Sequence, residues 1–118
     1  MTQRIDHVYD EECRRFQNSF ELVGKRWSPA ILMAINLGSH RFSEIIARVE
    51  GLSDRLLAQR LKELERSELI AREVIPTTPV QIRYTLTDRG TDLMRSLQPL
   101  VSWGLRWEPE PPQVRAVS

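Results

Sequence analysis

Cysteine is almost absent from this sequence of 118 residues, in which Cys13 is the only one. A single cysteine cannot form an intramolecular disulfide, so the class of disulfide-stabilised secreted domains is excluded. No apolar run approaches the roughly 20 residues of a membrane span, and the N-terminal MTQRIDHVYDEEC has no hydrophobic signal core. These absences predict a cytoplasmic protein that does not enter a membrane.

Residues that could support catalysis or metal binding are also scarce. His7 and His40 are the only histidines, and neither has a cysteine or a second histidine at metal-ligand spacing. Gly24, Gly38 and Gly51 are isolated and form no phosphate-binding loop. We therefore expect neither enzymatic activity nor a metal or other cofactor.

Net charge is small as well, at +1. If the partner is a nucleic acid, the positive charge must therefore be concentrated on one surface, since there is no global basic excess. The hydrophobic content of 41% and the charged content of 28% are typical of one globular domain. We expect that domain at residues 10–108, after a flexible polar segment at 1–9 and before a disordered proline-rich tail at 109–118.

Apolar residues at helical spacing predict two helices in the first part of the domain. The first begins at Asp10 as its N-cap and ends at Gly24. The second begins with Ser28 as its N-cap and Pro29 in its first turn, and it ends at Gly38.

The third and fourth helices are separated by a short turn. The third lies in RFSEIIARVEG, and the fourth begins at the N-cap Ser53 and ends near Ser67, which leaves Gly51 in the turn. Two short helices joined by a turn that contains glycine are typical of a helix-turn-helix.

After Ser67 the apolar period changes from that of a helix to that of a strand. LIAREVIP and VQIRYTLT both alternate, and PTTP between them brackets a turn with two prolines, which predicts a β-hairpin. Thr87 then caps a final helix, DRGTDLMRSLQPLVSWGLRW, in which Pro99 predicts a kink or a break. The predicted fold is mainly α with a small β-hairpin wing, a winged helix-turn-helix.

The fourth helix has two chemically different sides. At 100° per residue, Leu57, Leu61 and Leu64 form the core side, and a cationic and amide surface lies opposite. The N-terminal half of such a helix is the part that enters the major groove of DNA. The candidate DNA contacts, on this helix and on the wing, are Ser53, Arg55, Ala58, Gln59, Arg60, Lys62, Thr77, Thr78 and Arg83.

Side-chain chemistry suggests a role for each group of candidates. Arg55 can hold guanine through O6 and N7, and Gln59 can hold adenine through N6 and N7. Lys62 and Arg60 can reach phosphates, as can the backbone N–H groups behind Ser53, and the wing residues can contact the minor groove or backbone. The alternatives are a merely solvated helix or a winged helix that uses its basic side to bind an acidic protein.

Five motifs occur in the order GKRW, RFSEI, GLSDRLLAQRLKELERSELI, PTTPVQIRYTLTDRG and SWG. Together they resemble the HxlR-type winged helix-turn-helix transcriptional regulators of bacteria, over about residues 13–104. Within that family the sequence is most similar to repressors that sense quinones, diamide and related thiol-reactive compounds. The resemblance implies a homodimer that pairs through its first and last helices and binds a palindromic operator in double-stranded DNA.

The first and last helices carry the apolar residues that such a dimer would bury. A stripe of this kind could instead pack within one domain, but a long C-terminal helix has little core left to cover here. We expect the dimer interface to contain Phe16, Phe20, Leu97, Leu100, Trp103 and Trp107.

Cys13 has two interpretations. If Asp10 caps the first helix, Cys13 lies in its first turn, where the helix dipole and two neighbouring arginines favour a thiolate and neighbouring acidic residues oppose it. The resemblance implies a redox sensor at Cys13 that reacts with a quinone, a diamide-type oxidant or a low-molecular-weight thiol. The alternative is a cysteine that is not a sensor, either because it is buried and structural or because the regulator senses a small molecule and Cys13 is inert.

The sequence departs from the redox-sensing relatives at two points. Arg14 follows the cysteine where many relatives have proline, and the additional C-terminal cysteines of some relatives are missing. Any disulfide would therefore have to join two subunits or involve a small thiol.

Overall fold

The computed structural model describes residues 3–110, and side chains from residue 10 onward, so most of the predicted tail lies outside the described residues. This range confirms the predicted mainly helical fold with a β-hairpin. No helix within it is both long and apolar enough to cross a membrane. The elements are α1 (Gln3–Val23), α2 (Ser28–Asn36), α3 (Phe42–Arg48), α4 (Asp54–Arg66), β1 (Ile70–Ile75), β2 (Gln81–Leu86) and α5 (Asp88–Trp107).

The start of α1 differs from the prediction. The helix begins at Gln3, so Asp10 is an interior residue and its predicted role as N-cap is wrong. In the sequence, Ile5 and Val8 continue the apolar spacing of Phe16 towards the N-terminus, which favours an earlier start. Residues 3–9 of the segment that was expected to be flexible therefore belong to α1.

The hydrophobic core forms where α2, α3, α4 and α5 meet the hairpin. Ile31, Leu32 and Ile35 of α2 are all fully or almost fully buried, since three- and four-residue spacing places them on one side of the helix. The opposite walls come from α3, α4, the chain entering β1, and α5, through Ile45, Leu57, Leu61, Leu64, Leu69, Ile70 and Met94.

Local hydrogen bonds define the helix-turn-helix of α3 and α4. Ser53 Oγ accepts a hydrogen bond of 3.1 Å from a backbone N–H in the first turn of α4, which confirms Ser53 as the N-cap. Gly51 in the turn has a φ of 88°, a left-handed conformation that glycine adopts without strain. At the start of α3, hydrogen bonds from the backbone N–H groups of Arg41 and His40 hold the pKa of Glu44 below its usual value.

The cap of α2 lies one residue earlier than predicted. Trp27 is the N-cap, in a left-handed conformation with a φ of 77°, and Ser28 is already helical. The indole of Trp27 packs against the core, and the guanidinium of Arg26 lies 5.2 Å from the ring centroid. The predicted role of Ser28 as the N-cap is therefore wrong, and no side chain makes a cap hydrogen bond here.

The two strands form the predicted wing. They pair antiparallel with Ile70 opposite Leu86, and residues 76–80 connect them. The wing is attached to the loop before α3, because the backbone N–H of Tyr84 donates to the carbonyl oxygen of His40 at 2.7 Å. His40 Nδ1 also lies 2.9 Å from the carbonyl oxygen of Tyr84. These contacts place the wing beside the helix-turn-helix.

The N-terminus of α5 is fastened to the chain between α4 and β1. Thr87 Oγ1 accepts a 3.0 Å hydrogen bond from the backbone N–H of Gly90, which confirms Thr87 as the N-cap. Arg89 Nη1 donates to the carbonyl oxygen of Ser67 at 2.6 Å. A Cβ atom at Gly90 would overlap the carbonyl oxygen of Leu69, so only glycine allows this close approach.

Of the kink or break that was predicted at Pro99, the break is wrong. α5 continues from Asp88 to Trp107 with Pro99 inside it. Proline removes one backbone hydrogen bond of the helix, but Pro99 is exposed, and the carbonyl group that loses its donor can therefore bind water.

Candidate nucleic-acid interface

The outer side of α4 is open to solvent. Arg55, Gln59 and Lys62 are exposed, Ala58 is half-buried among them, and these four residues, here called the recognition surface, line one shallow depression. Three- and four-residue steps along a helix place them on the same side. Arg66 lines the same depression but was not predicted, although its position four residues after Lys62 was an available signal.

Arg60 does not lie on the recognition surface, which corrects its predicted role at phosphate. Its side chain is only 11% exposed. Arg60 Nε donates to the carbonyl oxygen of Arg26 at 3.0 Å, and Nη1 lies 3.3 Å from Glu63 Oε2. A guanidinium held by these two acceptors connects α4 to the chain before α2 instead of pointing outward.

Glu63 lies at the centre of a group of donors. Its Oε1 accepts a 3.0 Å hydrogen bond from Lys25 Nζ and lies 3.5 Å from Gln59 Nε2. The hydrogen bond from Lys25, helped by the charges of Lys25 and Arg60, lowers the pKa of Glu63 against the opposing effect of burial. The carboxylate is therefore ionised at neutral pH and can only accept hydrogen bonds.

The wing adds polar residues beside the helix-turn-helix. Arg83 is exposed on β2 opposite Glu73, and it lines a cleft together with Arg41. Arg41 Nη2 donates to Gln81 Oε1 at 2.9 Å, which holds this cation next to β2. The sequence interpretation missed Arg41, although its place immediately before α3 and beside the predicted wing was an available signal.

The two threonines of the wing turn are not equivalent. Thr77 and Thr78 are both exposed, but Thr77 Oγ1 donates to the carbonyl oxygen of Pro79 at 2.8 Å. Among the hydrogen bonds of the described residues, none uses the hydroxyl of Thr78. Thr78 is therefore better placed than Thr77 to donate to a phosphate oxygen.

A second exposed surface, which we call the apolar face, lies on α1 and α5. Phe16 and Phe20 are 69% and 59% exposed, and their ring centroids are 6.0 Å apart. Leu100, Trp103 and Trp107 of α5 are exposed as well. The radius of gyration of 17.5 Å exceeds the about 13.5 Å of a compact chain of this length, which indicates that parts of these helices extend from the body.

Leu97, which was predicted in the dimer interface, differs from the residues of the apolar face. It is half-buried and packs against the core of the same chain. One and two turns further along α5, Val101 and Leu105 are exposed because the body no longer covers that side of the helix. Their four-residue spacing from Leu97 was visible in the sequence, but the point at which the core ends was not.

Cys13 is exposed on α1, so the alternative of a buried cysteine is wrong. It lies ten residues after Gln3, well beyond the first turn, and the argument from the helix dipole therefore no longer applies. Steps of three and seven residues place Cys13 on the same side of α1 as Phe16 and Phe20. The thiol is thus part of the apolar side of the helix.

Comparison with known proteins agrees with this architecture. A family model described as HxlR-like helix-turn-helix matches residues 22–111. The uncharacterized HTH-type transcriptional regulator YvaP of Bacillus subtilis (strain 168) is 44% identical over 97 residues, which cover 82% of this chain and 90% of YvaP. The HTH-type transcriptional regulator YodB of the same organism is 42% identical over 91 residues, which cover 77% of this chain and 81% of YodB.

Solved structures of YodB from B. subtilis have the same fold. Its reduced form superposes with a TM-score of 0.72 at 40% identity, over 82% of this chain and 96% of that one. Its quinone-bound form gives a TM-score of 0.67 at 36% identity, over 79% and 97% of the two chains. With a helix-turn-helix, a wing and a family match across most of its length, the chain belongs to the HxlR-like helix-turn-helix family of transcriptional regulators.

Proposed function

We propose that the protein is a cytoplasmic, homodimeric repressor that binds a palindromic operator and releases it when Cys13 is modified. One observation carries the proposal: each protomer presents a cationic and amide recognition surface on α4 and a separate apolar face on α1 and α5. The first surface suits the edge of a DNA duplex, and the second suits another copy of the chain.

In the proposed complex, the N-terminal half of α4 lies in the major groove. Arg55 holds guanine with two donors, Gln59 holds adenine through its amide, and Lys62 contacts phosphate. Arg83 and Thr78 contact the neighbouring backbone or minor groove from the wing. Arg60 takes no part, because its side chain is only 11% exposed and its Nε and Nη1 are hydrogen-bonded within the protomer.

The proposed dimer pairs the apolar faces around a twofold axis. A symmetric interface buries the same residues on both copies, so Phe16, Phe20 and Trp107 each contribute twice. To fit successive major grooves on one side of the duplex, such a dimer must place its two α4 helices about 34 Å apart. Twofold symmetry in the protein then requires a palindromic operator.

A salt series separates this proposal from a winged helix that binds an acidic protein. With about six phosphate contacts per dimer, affinity for an operator duplex should fall by about a thousandfold between 50 and 200 mM salt. The duplex is obtained by selection from a randomised library, and binding is measured by fluorescence anisotropy. If the protein selects no sequence and its duplex affinity hardly depends on salt, the proposal is wrong.

Modification of Cys13 is the proposed switch. A quinone adds covalently to the thiolate, and diamide oxidises two thiols to a disulfide, which here joins the two Cys13 residues of a dimer or Cys13 and a small thiol. Either product changes the packing beside Phe16 and tilts one subunit relative to the other. The support is the position of Cys13 on the apolar side of α1 and the likeness to YodB, which has been solved in reduced, diamide-treated and quinone-bound forms.

Serine in place of Cys13 should abolish the response to thiol-reactive compounds. Wild-type protein treated with diamide or a quinone should lose at least about tenfold in operator affinity, because the spacing of the α4 helices changes. C13S should bind like the untreated wild type before and after treatment, and dithiothreitol should restore the diamide-treated wild type. Equal release of C13S and wild type by a quinone would instead favour a noncovalent small-molecule site.

A further inference from the structure

We infer that Glu63 is a positioning residue for base recognition, which sets the direction of the Gln59 amide and fastens α4 to the segment 24–27. The inference rests on the proposed function, since it concerns how the recognition surface reads DNA. This role would account for the acidic residue Glu63 at the edge of the recognition surface, whose cationic side chains attract phosphate.

The chemistry of the two side chains sets the direction of the amide. The ionised carboxylate of Glu63 has only acceptors, so the Gln59 amide must turn its NH2 group, and not its oxygen, towards Glu63. In the structure Gln59 Nε2 lies 3.5 Å from Glu63 Oε1. Gln59 Oε1 and the second amide hydrogen are then left for a base edge. Adenine needs this combination, because its N6 amino group donates and its N7 accepts.

A distance of 3.5 Å is long for a hydrogen bond, so Glu63 selects the orientation of the amide more than it immobilises it. Selection is what base recognition requires, because an inverted amide would present a donor where adenine also presents a donor. The effect should therefore appear in the preference between bases rather than in overall affinity.

Glu63 can do this because it is itself held in place. Lys25 Nζ contacts its Oε1 at 3.0 Å, and Arg60 Nη1 lies 3.3 Å from its Oε2. Arg60 is in turn bound to the carbonyl oxygen of Arg26 at 3.0 Å. Two positive charges also compensate the carboxylate, which reduces the repulsion between Glu63 and the DNA phosphates.

The test compares base preference in E63Q, Q59A and the wild type. An operator is first selected from a randomised library, and each of its base pairs is then substituted in turn. For each protein variant, the affinities for the selected and the substituted duplex are measured with the same protein preparation, and their ratio gives the preference at that base pair. Q59A should identify the base pair that Gln59 reads. E63Q, whose amide can donate or accept, should lose about tenfold in preference at that pair and little at others.

Glu65→Gln is the matched control, since it removes the same charge from an exposed position of α4 outside the recognition surface and should keep the preference. The affinity ratio does not depend on the active fraction, so partial unfolding of a variant cannot imitate the effect. If E63Q weakened all duplexes equally, or kept the preference that Q59A loses, the inference would be overturned while the proposed function survived. If the wild type selected no sequence at all, both would fail.

Discussion

Glutamate in place of Phe16 should leave the chain folded but monomeric at micromolar concentration, where the wild type should be a dimer. Phe16 is 69% exposed and its ring centroid lies 6.0 Å from that of Phe20, so the substitution removes little from the protomer. In the proposed dimer it would bury two unpaired carboxylates, which costs several kcal/mol per ion. The dimer dissociation constant should therefore rise by at least about a thousandfold, as measured by sedimentation velocity.

Loss of the dimer should also weaken DNA binding. A monomer contacts only one half-site of a palindromic operator. Without the second half-site, which the other subunit of a dimer would bind at high effective concentration, operator affinity should fall by about a hundredfold or more. Leu37→Glu is the matched control, because Leu37 is 57% exposed but lies at the end of α2, outside the apolar face. A dimer that persists in F16E, or a monomeric wild type, would show that the apolar face serves another purpose.

Alanine at both Arg55 and Gln59 should remove sequence recognition and leave non-specific binding nearly intact. Each good bidentate contact to a base contributes about 1–3 kcal/mol, and the double variant removes four such contacts per dimer. Operator affinity should fall by a thousandfold or more, towards the affinity for an unrelated duplex. Affinity for that unrelated duplex should change by less than about tenfold, since in the proposed complex Lys62 and the wing still contact phosphates.

The double variant R95A/Q98A is the matched control for this prediction. It removes the same side-chain types from α5, where both residues are exposed and neither belongs to the recognition surface. Both double variants should melt within a few degrees of the wild type by circular dichroism. Operator affinity that survives in R55A/Q59A would exclude the outer side of α4 as the base-reading surface.

Features governed by local chemistry could be predicted from the sequence. Ser53 and Thr87 cap α4 and α5 as expected, because a side-chain oxygen before an apolar repeat needs only the next few residues to act as a cap. The same holds for the glycine-containing turn and the alternating strands of the wing. The exposed positions of Arg55, Gln59 and Lys62 followed from the spacing of the leucines opposite them.

Features governed by distant residues could not be predicted. Arg60 lies on the flank of α4, where helical spacing alone leaves its direction open, and its partner at Arg26 is 34 residues away. Lys25 and Glu63 are 38 residues apart and carry no pattern that joins them. For Leu97, the deciding fact is how far along α5 the core extends, which depends on the packing of the whole domain.

The close contact of Gly90 with Leu69 ties the N-terminal end of α5 to the core of the domain. This end cannot shift without displacing the chain that follows α4, whereas the helix beyond Val101 lies outside the core. From Gly90 to Trp107 the helix is about 25 Å long, so a tilt of about 5° at its N-terminal end corresponds to a displacement of about 2 Å at its C-terminal tip. In the proposed dimer, a small rearrangement where the two α5 tips touch would therefore become a rotation next to the C-terminal end of α4.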